Sequence, residues 1–279
     1  MLKKIGYLAC IALACCVCVP VVFVLSGSVM STQELKECLG PLFTGLDGNV
    51  SWKLIPTYPT GEYFYRLLFF TPEFYVVLFN SMKLEICILA GQLLIAVPGA
   101  WAFAVYRFRG RKVLFTLYIV LMLLPFQVTM LSQYIVLNGL HLLNTHAAII
   151  LPAVFSTFPV FLIYRSFSGL PGEIFEAGRM DGAGEWQLFW KIGIPLSGQG
   201  LIAAMVLGFL EYWNLIEQPM SFLEDKRLWP MSLYLPQVDM AHAGESLAAA
   251  VITLIPTTFV FLLGQDYLEQ GIAASAVKQ

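Results

Sequence analysis

Charge is what this sequence has least of. Lys, Arg, Asp and Glu make up 12% of its 279 residues, roughly half of the ~25% usual for a soluble domain. The charged surface that holds a chain of this size in water is missing, and a soluble globular fold is excluded. The net charge of −2 argues against nucleic-acid binding, which needs a basic field. Histidine is scarce too: His141, His146 and His242 are scattered, and none shares zinc-ligand spacing with a cysteine, so no metal site is expected. Of the six cysteines, Cys10, Cys15, Cys16, Cys18 and Cys87 lie in apolar runs, where a free thiol behaves as a small hydrophobe. Only Cys38 is expected in an aqueous loop, so no disulfide framework is implied. There is no Gly-x4-Gly-Lys-Ser/Thr run to cradle phosphates, no constellation of nucleophile and base, and no convincing internal repeat.

What is present is hydrophobicity, at 58% of residues, in runs long enough to cross a bilayer. Six spans are read, over residues 5–25, 84–105, 113–136, 147–163, 201–217 and 247–263. All are read as helices, because a span in lipid must satisfy its own backbone hydrogen bonds. Lys3 and Lys4 before the first run resemble a signal-peptide start. The run is long for a signal core, and an uncleaved first helix is expected. Residues 26–83 form an external segment rich in Pro, Gly and aromatics, with composition suited to short helices on the membrane face. Pro98, Pro125, Pro152, Pro159 and Pro256 fall in or beside spans and mark expected kinks.

Charge orients the spans. Lys3, Lys4, Arg107, Arg109, Arg111, Lys112, Arg165, Arg179, Lys191 and Lys278 fall on one side, and Lys36, Lys53, Arg66, Lys83, Lys226 and Arg227 on the other. The four-residue cluster in the short loop after span two outweighs the rest, so the positive-inside rule places both termini in the cytoplasm. The loop between spans four and five, residues 165–196, is then cytoplasmic, as is a tail over 264–279.

That loop is polar and broken by glycine. Pro171 suits the first turn of a helix, and Glu173 puts negative charge near its positive end. The helix is expected to run to about Met180, with Gly182 ending it in a left-handed conformation. Asp181 or Gly182 caps a second short helix carrying Glu185 in its first turn. Trp186, Phe189 and Trp190 are expected to fasten it to the membrane helices, and Pro195 opens span five. Ala177, Gly178, Gly182 and Ala183 are small enough for close backbone approach by a partner.

Glu176-Ala177-Gly178, three residues, Gly182, nine residues, then Ile192-Gly193-Ile194-Pro195 closely resembles the signature loop of ABC importer permeases: Glu-Ala-Ala, three residues, Gly, nine residues, Ile, any residue, Leu-Pro. Gly178 and Ile194 are the two departures. Over residues 58–278 the resemblance is to the carbohydrate-uptake branch, of the maltose-type second permease of bacterial binding-protein-dependent importers. It rests on Asn80-Ser81, Tyr106-Arg107-Phe108-Arg109-Gly110, Leu140-His141-Leu142-Leu143-Asn144-Thr145, Leu151-Pro152 and the tail from Gln270 to Lys278, where Ser275 replaces a glycine. The resemblance implies an all-α integral membrane protein of the bacterial cytoplasmic membrane: six transmembrane helices in the type I importer permease fold, one permease domain over 1–279, with a cytoplasmic coupling helix. It implies a sister permease, two ATPase subunits, an extracytoplasmic solute-binding protein and a sugar or oligosaccharide substrate, besides membrane lipid. The chain itself then carries no cofactor; ATP and Mg belong to the partner ATPases. Glu176, Ala177, Gly178, Asp181, Gly182 and Ala183 are the implied coupling residues.

Glu211, Tyr212, Trp213, Asn214 and Gln218 are the candidate pathway residues. At 1.5 Å per residue, Glu211 lies about 15 Å along span five from Leu201, and an ionisable residue at such depth faces a cavity or a partner. Glu211, Asn214 and Gln218 share one helical face, and carboxylate, amide and aromatic groups suit a sugar. The alternatives are interface anchoring by Tyr212 and Trp213 and a bond from Glu211 to a sister subunit. The family usually shows Trp-Asn-Asp where this chain has Trp213-Asn214-Leu215. A permease of the same architecture for another solute, and an ion-coupled secondary transporter, also stay open.

Overall fold

The computed structural model describes residues 2–44, 53–234 and 242–276, and every regular element among them is helical. The order is α1 (Leu2–Ser28), α2 (Thr32–Thr44), α3 (Glu62–Phe70), α4 (Pro72–Val105), α5 (Arg111–Met122), α6 (Phe126–Gly139), α7 (Ala147–Val154), α8 (Thr157–Ser168) and α9 (Gly172–Met180). A single turn, α10 (Glu185–Gln187), runs through a π-helical stretch (Leu188–Gly193) into α11 (Ile194–Leu196). Then come α12 (Gly198–Trp213), α13 (Glu217–Phe222), a 3-10 turn (Lys226–Leu228), α14 (Met231–Tyr234) and α15 (Ala243–Ala276).

Four stretches are long and apolar enough to cross a membrane by themselves: Ala9–Ser28, Pro72–Val105, Ala147–Ser168 and Ala243–Glu269. Two more are bent pairs, α5 with α6 at 102° and the 185–196 segment with α12 at 70°. Counting each bent pair as one span brings the number from four to at most six, and not as six straight helices. The expected third span breaks at Pro125, which has φ −68° and ψ 151° and precedes α6. Proline cannot donate back into α5, and it pushes the residue before it out of helical geometry. The fourth breaks at Phe155 and Ser156, between α7 and α8. The fifth ends at Trp213, with Asn214 as its cap and α13 beginning only at Glu217. The second begins at Pro72 rather than 84, and the sixth continues to Ala276 with no break at the expected start of the tail. Residues 277–279 lie outside the described residues.

The chain divides into two compact units. The first combines Met1–Leu78 with Leu233–Pro256. Here Glu34 is buried, and its Oε1 accepts the Thr57 N–H at 2.9 Å with Lys53 Nζ at 3.9 Å. Tyr63 donates its hydroxyl to Thr32 Oγ1 at 3.0 Å, tying α3 to α2. Gly244 of α15 rests on the Tyr63 ring, where a side chain would collide. Cys38 is buried in α2 rather than exposed in a loop, because α2 turns an apolar face inward.

The second unit combines Phe79–Ser232 with Thr257–Gln279. Its broken helices leave backbone groups that lipid cannot satisfy, and side chains supply the partners. Asn80 Nδ2 donates to the Arg227 and Trp229 carbonyls at 2.7 and 3.1 Å. Ser81 Oγ accepts the Met231 N–H at 2.7 Å. Gln92 Nε2 donates to the Ala153 carbonyl at 2.9 Å, beside the break in span four. Asn144, at φ 55°, accepts the N–H groups of Glu224 and Asp225 on one oxygen, at 3.0 and 2.9 Å. Two apolar clusters complete the unit. One centres on Leu84, Ile88, Ile149 and Phe222. The other centres on Trp101, Phe167, Phe175 and Phe189.

Candidate functional site: a capped helical knob and a polar stripe

Helix α9 ends as its sequence requires. Gly182 has φ +82°, a conformation open to glycine and costly for other residues. That turn lets the Ala183 N–H reach the Gly178 carbonyl at 3.0 Å and the Gly182 N–H reach the Arg179 carbonyl at 3.0 Å. The pair is a Schellman cap, satisfying two carbonyls the helix end would otherwise leave bare. Asp181 is the C-cap of α9, not the cap of the next helix. That role falls to Gly184, in extended conformation, whose N–H is met by Gln187 Oε1 at 3.2 Å. Glu185 stands in the first turn as expected, and it also closes the turn with a bond that sequence reading missed. Arg179 Nε donates to Glu185 Oε1 at 2.8 Å, which holds the Glu185 carboxyl below its ordinary range and the Arg179 guanidinium above its own. Both side chains are nearly half exposed, so the pair fixes geometry more than it stabilises.

Two helical pieces joined by a tight cap make a knob, and one tryptophan pins it. Trp101 of α4 is 4% exposed and meets three rings edge-on: Phe167 of α8 at 5.2 Å, Phe175 of α9 at 5.3 Å and Phe189 of the π stretch at 5.4 Å. Each such pair adds about 0.5–1.5 kcal/mol beyond burial. The wide π turn directs Leu188, Phe189 and Gly193 inward, and Gly193 lies against the Trp101 ring with no room for a side chain. Gly178 is likewise closed in: a Cβ there would stand 2.6 Å from Leu188 Cδ2 and 3.1 Å from Ile192 Cδ1. Of the aromatic trio read as fasteners, only Phe189 is buried; Trp186 and Trp190 are 72% and 52% exposed. Glu176, Ala177, Asp181 and Gly182 are exposed, Ala183 is half-buried and Gly178 is interior. Four of the six therefore form an exposed rim, with half-buried Ala183 beside it, around one packing glycine.

The pathway residues are placed differently from the sequence expectation. Glu211 and Asn214 are exposed, Tyr212 and Gln218 half-buried and Trp213 buried. Because α12 stops at Trp213, Glu211, Asn214 and Gln218 do not continue one helical face. Asn214 Nδ2 turns back to the Leu210 carbonyl at 2.9 Å, and Trp213 stacks on Phe209 at 5.4 Å. Glu217 opens α13 and accepts from Gln127 Nε2 of α6 at 2.7 Å. Tyr212 turns toward α4, where its hydroxyl accepts from Gln92 Nε2 at 3.0 Å.

Helix α4 contributes a buried polar stripe absent from the sequence reading: Ser81, Glu85 and Gln92, at 5%, 4% and 1% exposure. Their spacing of four and then seven residues keeps them on one face. Both Glu85 carboxylate oxygens lack a hydrogen-bond partner. An acid inside the apolar run from Leu84 to Val105 was the available signal. Its burial could not be read from it. Among the described residues, no group of three or more His, Cys, Asp or Glu is placed to hold a metal.

Residues 94–274 match the family described as binding-protein-dependent transport system inner membrane component. The chain is 32% identical over 202 residues, 71% of it and 72% of the relative, to the arabinooligosaccharides transport system permease protein AraQ of Halalkalibacterium halodurans. It is 30% identical over 207 residues, 72% of it and 74% of the relative, to the sn-glycerol-3-phosphate transport system permease protein UgpE of Yersinia enterocolitica. A crystal structure of a bacterial ABC transporter involved in the import of the acidic polysaccharide alginate contains a chain that superposes with a TM-score of 0.80, covering 95% of this chain and 96% of that one at 22% identity. That likeness carries the fold alone.

Proposed function

This chain belongs to the binding-protein-dependent transport system inner membrane component family, and from that premise we propose that it is the permease subunit of an ATP-driven sugar importer. It forms half of the translocation pathway, and it receives the stroke of separate ATPase subunits through residues 171–195. ATP and Mg are bound by those ATPases. A sister permease completes the pathway, and an extracytoplasmic binding protein delivers the sugar. Both termini are cytoplasmic, and the whole chain works as one transmembrane permease domain.

The pinned knob carries the coupling reading. A loop that only joined two spans would need neither a positive-φ glycine cap nor a buried tryptophan contacting α8, α9 and the π stretch together. Held this way, a push on the rim of Glu176, Ala177, Asp181, Gly182 and half-buried Ala183 is passed through Phe175 and Phe189 to Trp101, and so to α4 and α8. Close-packed interiors transmit displacement because they compress little. Relatives named for arabinooligosaccharides and sn-glycerol-3-phosphate support a polyhydroxylated solute. The hydroxyl, amide and carboxyl groups of Glu211, Tyr212, Asn214 and Gln218 would suit such a solute, with Trp213 lying behind them in the packing.

The test is purification of the complex through a tag on this chain, followed by reconstitution with its binding protein. Copurification of ATPase subunits, and hydrolysis stimulated by arabinotriose, lactose or sn-glycerol 3-phosphate, is expected. A chain that transports with no ATPase attached, driven by an ion gradient, would overturn the reading.

A further inference from the structure

We infer that Glu85 is a solute-contacting residue of the translocation pathway, closed off in this structure and opened to the pathway in another state of the transport cycle. The placement of the carboxyl argues for it. Ser81 and Gln92, on the same face of α4, each hold one end of the chain that follows span five. Ser81 accepts the Met231 N–H at 2.7 Å, and Gln92 donates to the Tyr212 hydroxyl at 3.0 Å. Between those anchors runs the segment in which α12 stops at Trp213, the chain breaks, and α13 begins at Glu217. Glu85 sits one turn from Ser81 and two from Gln92, so it faces that broken segment.

Every other α4 side chain on this stripe has a partner. Glu85 has none for either oxygen, at 4% exposure. An acid buried without a partner is among the costliest groups a membrane segment can carry, and packing alone would favour leucine. Groups held at such cost belong to sites whose partner arrives from outside the chain. Next to a helix break, where backbone and side chains can move apart, the arriving partner that fits is a polyhydroxylated solute. Its hydroxyls can hydrogen-bond with both oxygens of the Glu85 carboxyl, while Gln92 and Tyr212 offer further polar contacts. This rests on the proposed sugar-import function, and its test is arranged so that the two can fail separately.

The first arm needs no solute. In a complex whose native cysteines are replaced, Glu85→Cys is treated with a small water-soluble methanethiosulfonate, without nucleotide, with ATP, and with ATP and vanadate. Labelling in one of these states and not in the others is expected; no labelling in any state overturns the inference. The second arm measures import of arabinotriose, lactose and sn-glycerol 3-phosphate. For whichever the parent imports, Glu85→Leu is expected to raise KM about tenfold, the loss of the hydrogen bonds of one polar group, while leaving thermal stability equal or higher. Glu85→Gln should recover most of the affinity. A Leu variant with the parent KM overturns the inference. A parent importing none of the three overturns the sugar reading instead, and the labelling arm still decides on Glu85.

Discussion

Replacing Gly182 separates what the knob needs from its backbone and what it needs from its surface. Gly182 has φ +82°, and a Cβ built there meets nothing within 4 Å. Within this chain, then, a side chain is penalised only through the backbone. For an ordinary L-residue the left-handed region costs about 1–2 kcal/mol, and a β-branched side chain sits at the upper end, taken as about 2 kcal/mol. That disfavours the capped turn roughly thirtyfold. Losing the turn frees the Gly178 and Arg179 carbonyls and displaces Gly184, the cap of the next helix, two residues on. Asn tolerates the same conformation, so Gly182→Asn should keep the cap while adding a side chain to the surface. The assay is sugar-stimulated ATP hydrolysis by the reconstituted complex with its binding protein. Gly182→Val is expected to lose at least about tenfold in coupled hydrolysis while still inserting and binding its sister permease, and Gly182→Asn to stay within about threefold, in line with those strain costs. A Val variant that hydrolyses and transports at the parent rate refutes the coupling role. An Asn variant as impaired as Val refutes the backbone explanation and shows that the ATPase needs the empty space.

Trp101→Ala removes a buried ring with three aromatic partners and should cost about 3–5 kcal/mol, read as a lower melting temperature of the detergent-solubilised permease and as hydrolysis uncoupled from import; Trp101→Phe should lie between. Glu185 has a folded-state pKa held below the ordinary 4.5, chiefly by its bond to Arg179. The pair's contribution is therefore present at neutral pH and is lost as pH falls through that lowered value. Because both partners are exposed, Glu185→Gln at pH 7 should cost no more than about 1 kcal/mol, and hydrolysis near the parent rate is expected; a loss approaching that of Gly182→Val would show the bond to be part of the coupling contact. For orientation, a cysteine at Ile55, which is 83% exposed, should react with a membrane-impermeant maleimide added outside intact cells, and one at Gly184 should not. The reverse pattern would place the knob on the wrong side for any ATPase.

Local chemistry was legible in the sequence. Scarcity of charge and long apolar runs set a helical membrane protein, since backbone groups in lipid must pair within their own segment. The end of α9 at Met180 and the left-handed Gly182 followed from residue type and spacing, because a helix cap is decided within six residues. What depends on residues far apart in the chain was decided only by the tertiary structure. Trp101 reads in sequence as one more apolar residue of span two; only folding brings Phe167, Phe175 and Phe189 around it. The face expected of Glu211, Asn214 and Gln218 assumed a helix through residue 217. It fails because the fold ends α12 at Trp213 and starts α13 only at Glu217, and in the break between them Ser232 Oγ, from well down the chain, donates to the Leu215 carbonyl. Glu85 shows the same division. Its sequence position marks an acid inside an apolar run, but its burial without a partner exists only once α4 is packed against the segment it faces.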